Sequence, residues 1–240
     1  MAGQNKSVLP VALGGMIAIA AALGIGRFVY TPILPFMEDG LGLTKPQAGL
    51  IASANYLGYL VGALFTSLAR LPGRERTWLL SGLALSALTT GAMAVPSSMA
   101  AFVGLRFIGG AASAFVLVFT SSLVLRHVVA ARRDGLSGIQ FAGVGFGNAG
   151  SALLIAGLAA LGEGWRVHWF TAGAISLAAL LVASWLVPAD DHAAAPPAAP
   201  PAPSTPIERR LVAVVAAYGL FGFGYVITAT FISTMVRETP

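Results

Sequence analysis

Arg27 and Arg106 are the two charged side chains that fall well inside the long apolar stretches of this 240-residue chain. An Arg at the bilayer centre costs roughly 2.5–3.5 kcal/mol on insertion scales, so each calls for a compensating interaction. The acidic residues all lie in loops or at helix ends, and none stands inside a stretch to neutralise either cation. The chemistry such a pair offers is recognition of an anionic group on a solute. The plainer alternative is that each guanidinium bonds backbone carbonyls or snorkels toward the outer interface. Pro32 favours that alternative for Arg27, because carbonyls freed near a proline are good acceptors.

Polar residues at helical spacing add to the candidate site. Asn55, Tyr59, Gly62 and Thr66 fall on one face of a second stretch, Arg106, Ser113 and Thr120 on one face of a fourth, and Asn148 near the middle of a fifth. The candidate solute contacts are therefore Arg27, Asn55, Tyr59, Arg106 and Asn148. Small and polar residues in membrane helices also serve helix packing, and Gly58-x-x-x-Gly62 and Gly143-x-x-x-Gly147 read as packing seams. Catalytic signatures are lacking. His127, His168 and His192 are scattered without metal-ligand spacing, no Gly-x-Ser-x-Gly elbow or phosphate loop is present, and the seventh stretch has no lysine for a retinal-type Schiff base. Neither an enzyme nor a metal or other cofactor is expected.

The elements that must position these residues are seven apolar runs, at Val8–Met37, Gln47–Ala69, Thr77–Val95, Met99–Leu125, Leu136–Leu161, Val167–Val187 and Leu211–Val236. Each approaches or exceeds the ~20 residues that a spanning helix requires. The first is over-long, and Pro32 and Pro35 are expected to bend or end it near the outer surface. It is also too long for a secretory signal and lacks a clear cleavage site. The composition agrees: 57% hydrophobic, 10% charged and a mean hydropathy of +0.82, against about 25% charged residues in soluble domains. The net charge of +5 does not point to nucleic acid, because the cations flank apolar runs on one side. There is no cysteine, which removes disulfides and thiolate chemistry.

Lys and Arg are retained in cytoplasmic loops. Lys6 and the clusters Arg70/Arg74/Arg76, Arg126/Arg132/Arg133 and Arg209/Arg210 occupy alternate gaps, against Lys45, Arg166 and Arg237 in the others. The expected topology has a cytoplasmic N-terminus with odd spans running outward. The Ala/Pro tract within Ala189–Thr205 reads as an extended cytoplasmic spacer.

Several runs together resemble the major facilitator superfamily, specifically its YbfB/YjiJ-type branch. They are Gly24-Ile-Gly-Arg-Phe-Val-Tyr-Thr-Pro-Ile-Leu-Pro-Phe-Met37, Gly49 to Ala63, Arg106-Phe-Ile-Gly-Gly-Ala-Ala-Ser-Ala114, Gly164-Trp-Arg166 and Gly222 to Thr230. The resemblance covers nearly the whole chain outside the Pro-rich tract. There are departures. Aligned on Gly73-Arg74, the loop after the second helix has Thr66 and Arg70 where the superfamily has Gly and Asp, and the fifth-helix glycines lack the usual Pro. The resemblance implies an all-α polytopic membrane bundle: a six-helix N-terminal transporter domain over 1–188, a cytoplasmic linker over 189–210, and over 211–240 the first helix of a truncated second bundle. It implies a secondary active transporter moving a small solute by alternating access, anionic if the arginines bind it. Arg70, Gly73 and Arg74 would form its cytoplasmic gate loop. The expected partners are the lipid bilayer and a small-molecule solute, with protons as an open choice of coupling ion and no nucleic acid. The expected location is a bacterial inner membrane. The alternative is a non-transporting seven-helix scaffold or receptor.

Overall fold

The computed structural model describes residues 8–69, 71–188 and 209–238. The expected linker tract at 189–208 and the gate-loop residue Arg70 lie outside the described residues. The architecture is an all-α bundle: α1 (Val8–Ile19), a π-helical segment (Ala20–Ile25), α2 (Tyr30–Leu41), α3 (Lys45–Leu68), α4 (Glu75–Ala92), α5 (Met99–Ala130), one 3-10 turn (Asp134–Leu136), α6 (Ile139–Ala160), α7 (Trp165–Leu186) and α8 (Arg209–Glu238). Among the described residues, five helices are long and apolar enough to cross a bilayer: Val8–Leu41, Lys45–Leu68, Met99–Ala130, Ile139–Ala160 and Trp165–Leu186. The chain is therefore a polytopic membrane protein. The other two expected spans are helical, as α4 (Glu75–Ala92) and α8 (Arg209–Glu238). Helix α4 spends its first turn on Glu75 and Arg76.

The first run behaves differently from its expectation. Helix α2 continues past Pro32 and Pro35 to Leu41, ending on Gly42 in a left-handed conformation with φ of 64°. The interruption lies upstream, at Ala20–Val29. A proline cannot bond the carbonyl four residues back; for Pro32 and Pro35 those are the carbonyls of Phe28 and Thr31, so the prolines do not account for the π-helical turns at Ala20–Ile25. Gly26 and Phe28 donate five residues back, to Ala21 and Leu23, and Thr31 donates to Phe28 instead of Arg27. Pro32 itself occupies the first turn of α2, where an N–H has no intrahelical partner to lose.

Helix α5 packs between α3 and α4, α1 is held by α5, α6 and α7, and α4 lies along α7. Two seams allow close approach. A Cβ on Gly58 would strike the Phe107 carbonyl, one on Gly62 would meet Ala111, and one on Gly110 would strike the Asn55 carbonyl. On the other side, Gly143 and Gly147 of α6 abut the carbonyls of Met16 and Ala20. Small residues permit this contact because lipid supplies no hydrophobic drive for helix association. The outward faces are apolar, with Leu57, Leu60, Leu64 and Leu68 along α3 and Leu181 and Trp185 on α7 all exposed. That is a surface suited to acyl chains rather than water.

Both ends are tied by charge. Helix α3 starts on a capping box between Thr44 and Gln47. At the Arg-rich end, the Arg126 guanidinium pairs with Glu75, which also accepts from the Ser122 hydroxyl at 3.1 Å. Arg76 donates to the Ser184 and Val187 carbonyls at 2.6 and 3.0 Å, satisfying the C-terminus of α7. At the opposite end Arg166 donates to Ala94 and Val95 at 2.7 and 2.9 Å.

Candidate functional site

The interrupted first helix gathers four of the five candidate residues. Arg106, on α5, is 4% exposed. Its two terminal nitrogens donate to the carbonyls of Gly26 and Arg27, each at 2.8 Å. Those carbonyls sit where the helical ladder is disturbed, so the guanidinium replaces backbone donors that the interruption removes. Its fork suits two adjacent acceptors, which one ammonium would not match. The same group lies 5.3 Å from the Tyr30 ring centroid and 5.8 Å from that of Trp169. Asn55 completes the junction, donating its amide to the Arg106 carbonyl at 3.0 Å.

Arg27 emerges on the other side of the break. Its guanidinium lies 4.2 Å from the Tyr59 centroid, 4.8 Å from Tyr56 and 5.4 Å from Phe28. The negative faces of these rings attract the cation, and three aromatic contacts offset much of the cost of placing it at this depth. Two of the rings come from α3 and one from the first span, so Arg27 also ties these elements together.

Asn148 is separate from this cluster, on α6 across the first helix. It lines a groove of about 370 Å³ with Phe28, Thr31, Ser151 and Thr228. Its side-chain oxygen is buried without a hydrogen-bond partner. A second space of about 340 Å³, lined by Pro35, Phe36, Ile155 and Val236, shares Pro32, Ala152 and Ile232 with the first. The two form one trough between α2, α6 and α8. Of the gate-loop residues, Gly73 takes a φ of 96° and Arg74 occupies the N-cap of α4. The Trp78 indole closes that loop by donating to the Pro72 carbonyl at 2.9 Å.

Three buried polar groups lay outside the candidate site read from the sequence. His168 is fully buried, with its ring edge-on to Phe36 at 4.6 Å and neither ring nitrogen hydrogen-bonded. Gln140 and Thr120 bury unpartnered side-chain oxygens, both beside Gly15 of α1. A lone Gln or His at the start of an apolar run is a signal for such a position, although spacing alone does not say what it faces. Of the α8 wall of the trough, Thr228 was visible only as part of a family-like run and Ile232 lay outside that run. Among the described residues no cluster of His, Asp and Glu could hold a metal.

A family model described as "Uncharacterised MFS-type transporter YbfB" matches residues 19–239. No curated protein matches the chain. The match spans most of the sequence, and the chain belongs to this MFS-type transporter family, a family of transport proteins rather than enzymes.

Proposed function

We propose that this multi-pass membrane protein is a secondary transporter that moves a small solute by alternating access. The observation that carries the reading is the trough where α8 faces α2 and α6, beside a helix broken at Ala20–Val29. Transporter sites are typically built where a discontinuous helix meets the opposing half of the fold near the bilayer midplane. In that arrangement residues 1–188 form one six-helix bundle, 189–210 connect it onward, and 211–240 supply the first helix of the opposing bundle. The site would be walled by helices from two bodies that move against each other.

Within this reading Arg27, Tyr59 and Asn148 are the solute contacts. Asn55 and Arg106 are positioning residues, because their donors hold the α3–α5 contact and the broken first helix. The proposed anionic character of the solute rests on Arg27 alone, since the Arg106 guanidinium is engaged by the Gly26 and Arg27 carbonyls. The loop bearing Arg70, Gly73 and Arg74 serves as the cytoplasmic gate, next to the Glu75–Arg126 pair that fixes the start of α4. The distribution of cations supports a cytoplasmic N-terminus in a bacterial inner membrane.

The test uses the absence of native cysteine. Single cysteines replacing Ser151 or Thr228 are labelled with a membrane-impermeant maleimide in right-side-out and inside-out vesicles. A transporter gives labelling from both sides, and a solute analogue that favours one state raises one rate as it lowers the other. Labelling confined to one side under every condition leaves a fixed seven-helix scaffold or receptor as the correct reading.

A further inference from the structure

Resting on that reading, we infer that His168 is a proton-binding residue that controls, through Phe36, the side of the membrane to which the trough opens. His168 stands one turn inside α7, is 0% exposed, and packs its ring edge-on to Phe36 of α2 at 4.6 Å. Neither ring nitrogen has a hydrogen-bond partner. Phe36 in turn walls the apolar end of the trough with Pro32, Pro35 and Ile155, so the imidazole and an occupant of the trough share a neighbour. Among the described residues, His168 is the one fully buried side chain inside a span whose type titrates near neutral pH. His127 is partly exposed at the end of α5 and already bonds the Leu123 carbonyl at 2.8 Å.

The two protonation states ask for different surroundings. A neutral imidazole endures the ring contact with one dry donor and one dry acceptor. An imidazolium carries two donors, and Phe36 offers an oxygen to neither. The charged and titratable groups on the elements around α7 are mostly committed elsewhere. On α2, Glu38 pairs with Lys45 at 3.5 Å, the Tyr30 hydroxyl donates to the Ala48 carbonyl at 2.9 Å, and Asp39 is exposed. Arg106 of α5, beside Trp169, donates to the first helix, and Arg166 donates to Ala94 and Val95. Helix α4 carries Glu75 and Arg76 in its first turn, at the opposite end. Helix α1, the π-helical segment and α6 have no charged side chain. There remains Glu163, exposed in the loop before α7, whose charge acts on the imidazole. Protonation adds a proton from water at that face to the ring nitrogen that holds the lone pair, and breaks no other bond. The charged ring then turns from Phe36 toward Glu163, the trough wall loses its backing, and α2 shifts against α7. Return of the proton to water restores the packed ring.

The test labels a Thr228→Cys chain with an impermeant maleimide in right-side-out and inside-out vesicles, at about pH 8 and about pH 5.5. Each rate is divided by that of an exposed cysteine on the same side, replacing Ala100 or Gly135, which cancels the titration of the thiol itself. Acidification should change the normalised rate by at least about threefold on one side, and in the opposite sense on the other. His168→Phe keeps a ring against Phe36 but binds no proton, and His168→Gln keeps a polar group. Each should reduce the change to less than about 1.5-fold, while His127→Gln leaves it at the parent size. Glu163→Gln should cut it by about half or more, because the charged ring loses its counterion. Magic-angle-spinning NMR of the chain with 15N-labelled histidine reads the ring directly. The signal absent from His168→Gln should convert from neutral imidazole to imidazolium over the same pH interval. A parent-sized pH response in both His168 variants overturns the proposal and leaves His168 a packing residue. A ring that keeps one protonation state throughout overturns it as well. Failure here is distinguishable from failure of the transporter reading. Two-sided labelling that ignores pH removes the proton site alone, whereas one-sided labelling at every pH removes transport and this control with it.

Discussion

Arg106 on α5 donates to the carbonyl of Gly26 at 2.8 Å, across 80 positions of sequence, and so bridges the gap in the first helix. The relationship explains how a costly cation is tolerated in an apolar helix. Its charge is spent on the Gly26 and Arg27 carbonyls, which lie in the interruption between Ala20 and Val29.

Replacing Arg106 should therefore act first on stability. Arg106→Leu leaves the carbonyls of Gly26 and Arg27 without their donor, and unfolding in detergent should become easier by about 2–3 kcal/mol. Arg106→Lys should recover less than half, because one ammonium cannot match two adjacent acceptors as a fork does. The measurement is denaturant unfolding followed by tryptophan fluorescence. Unchanged stability in Arg106→Leu would remove Arg106 from this bridging role.

The glycine seams give a sharper contrast. Gly58 and Gly147 have backbone of α5 and the first span where a Cβ would stand, while Gly145 and Gly150 meet nothing within 4 Å. Gly58→Val and Gly147→Val should each destabilise by at least about 2 kcal/mol, through overpacking of a tight helix contact. Gly145→Ala and Gly150→Ala should be neutral or slightly stabilising, as they gain helix propensity. Melting temperatures of the four variants decide it. Equal effects in both pairs would mean that the seams do not limit helix approach.

These seams also show what was legible beforehand. Gly58-x-x-x-Gly62 and Gly143-x-x-x-Gly147 were readable because small residues at four-residue spacing have one dominant use in lipid. The placement of Arg27 in the first span and of Arg106 inside α5 was readable from run length alone. The partners of Arg106 were not, because they are backbone atoms far away in sequence that carry no side-chain signature. The break in the first span was misplaced: it falls at Ala20–Val29, upstream of both prolines, which α2 accommodates. Asn148 was identified as polar and mid-helix, but its groove requires Thr228 of α8, and no pattern within α6 reports that. His168 was set aside as a residue near a helix end, whereas the packing of α7 on α2 buries it completely.

Orientation follows from charge and can be checked at two loops. Ser137 precedes α6 and Glu163 follows it, so they stand about 33 Å apart along that helix. With the Arg-rich end in the cytoplasm, a cysteine replacing Glu163 should react with an impermeant maleimide added to intact cells. One replacing Ser137 should react only after permeabilisation. The reverse pattern would invert the topology and place Arg76 and Arg126 outside.

The aromatic setting of Arg27 makes the last prediction. Its guanidinium is 4.2 Å from the Tyr59 centroid and 4.8 Å from that of Tyr56, and a ring held that close contributes about 0.5–2 kcal/mol. Tyr59→Phe preserves the ring and should change stability by less than about 0.5 kcal/mol. Tyr59→Leu removes the π face while keeping an apolar side chain, and should cost about 1 kcal/mol or more. A double-mutant cycle with Arg27→Met isolates the pair, with an expected coupling near 1 kcal/mol. If the two substitutions add with no coupling, the ring does not hold the cation. Tyr59 would then act only through the packing of α3. Coupling that disappears when Tyr59→Phe, in place of Tyr59→Leu, is paired with Arg27→Met would locate the interaction in the ring rather than in the phenolic hydroxyl, as the centroid distances require.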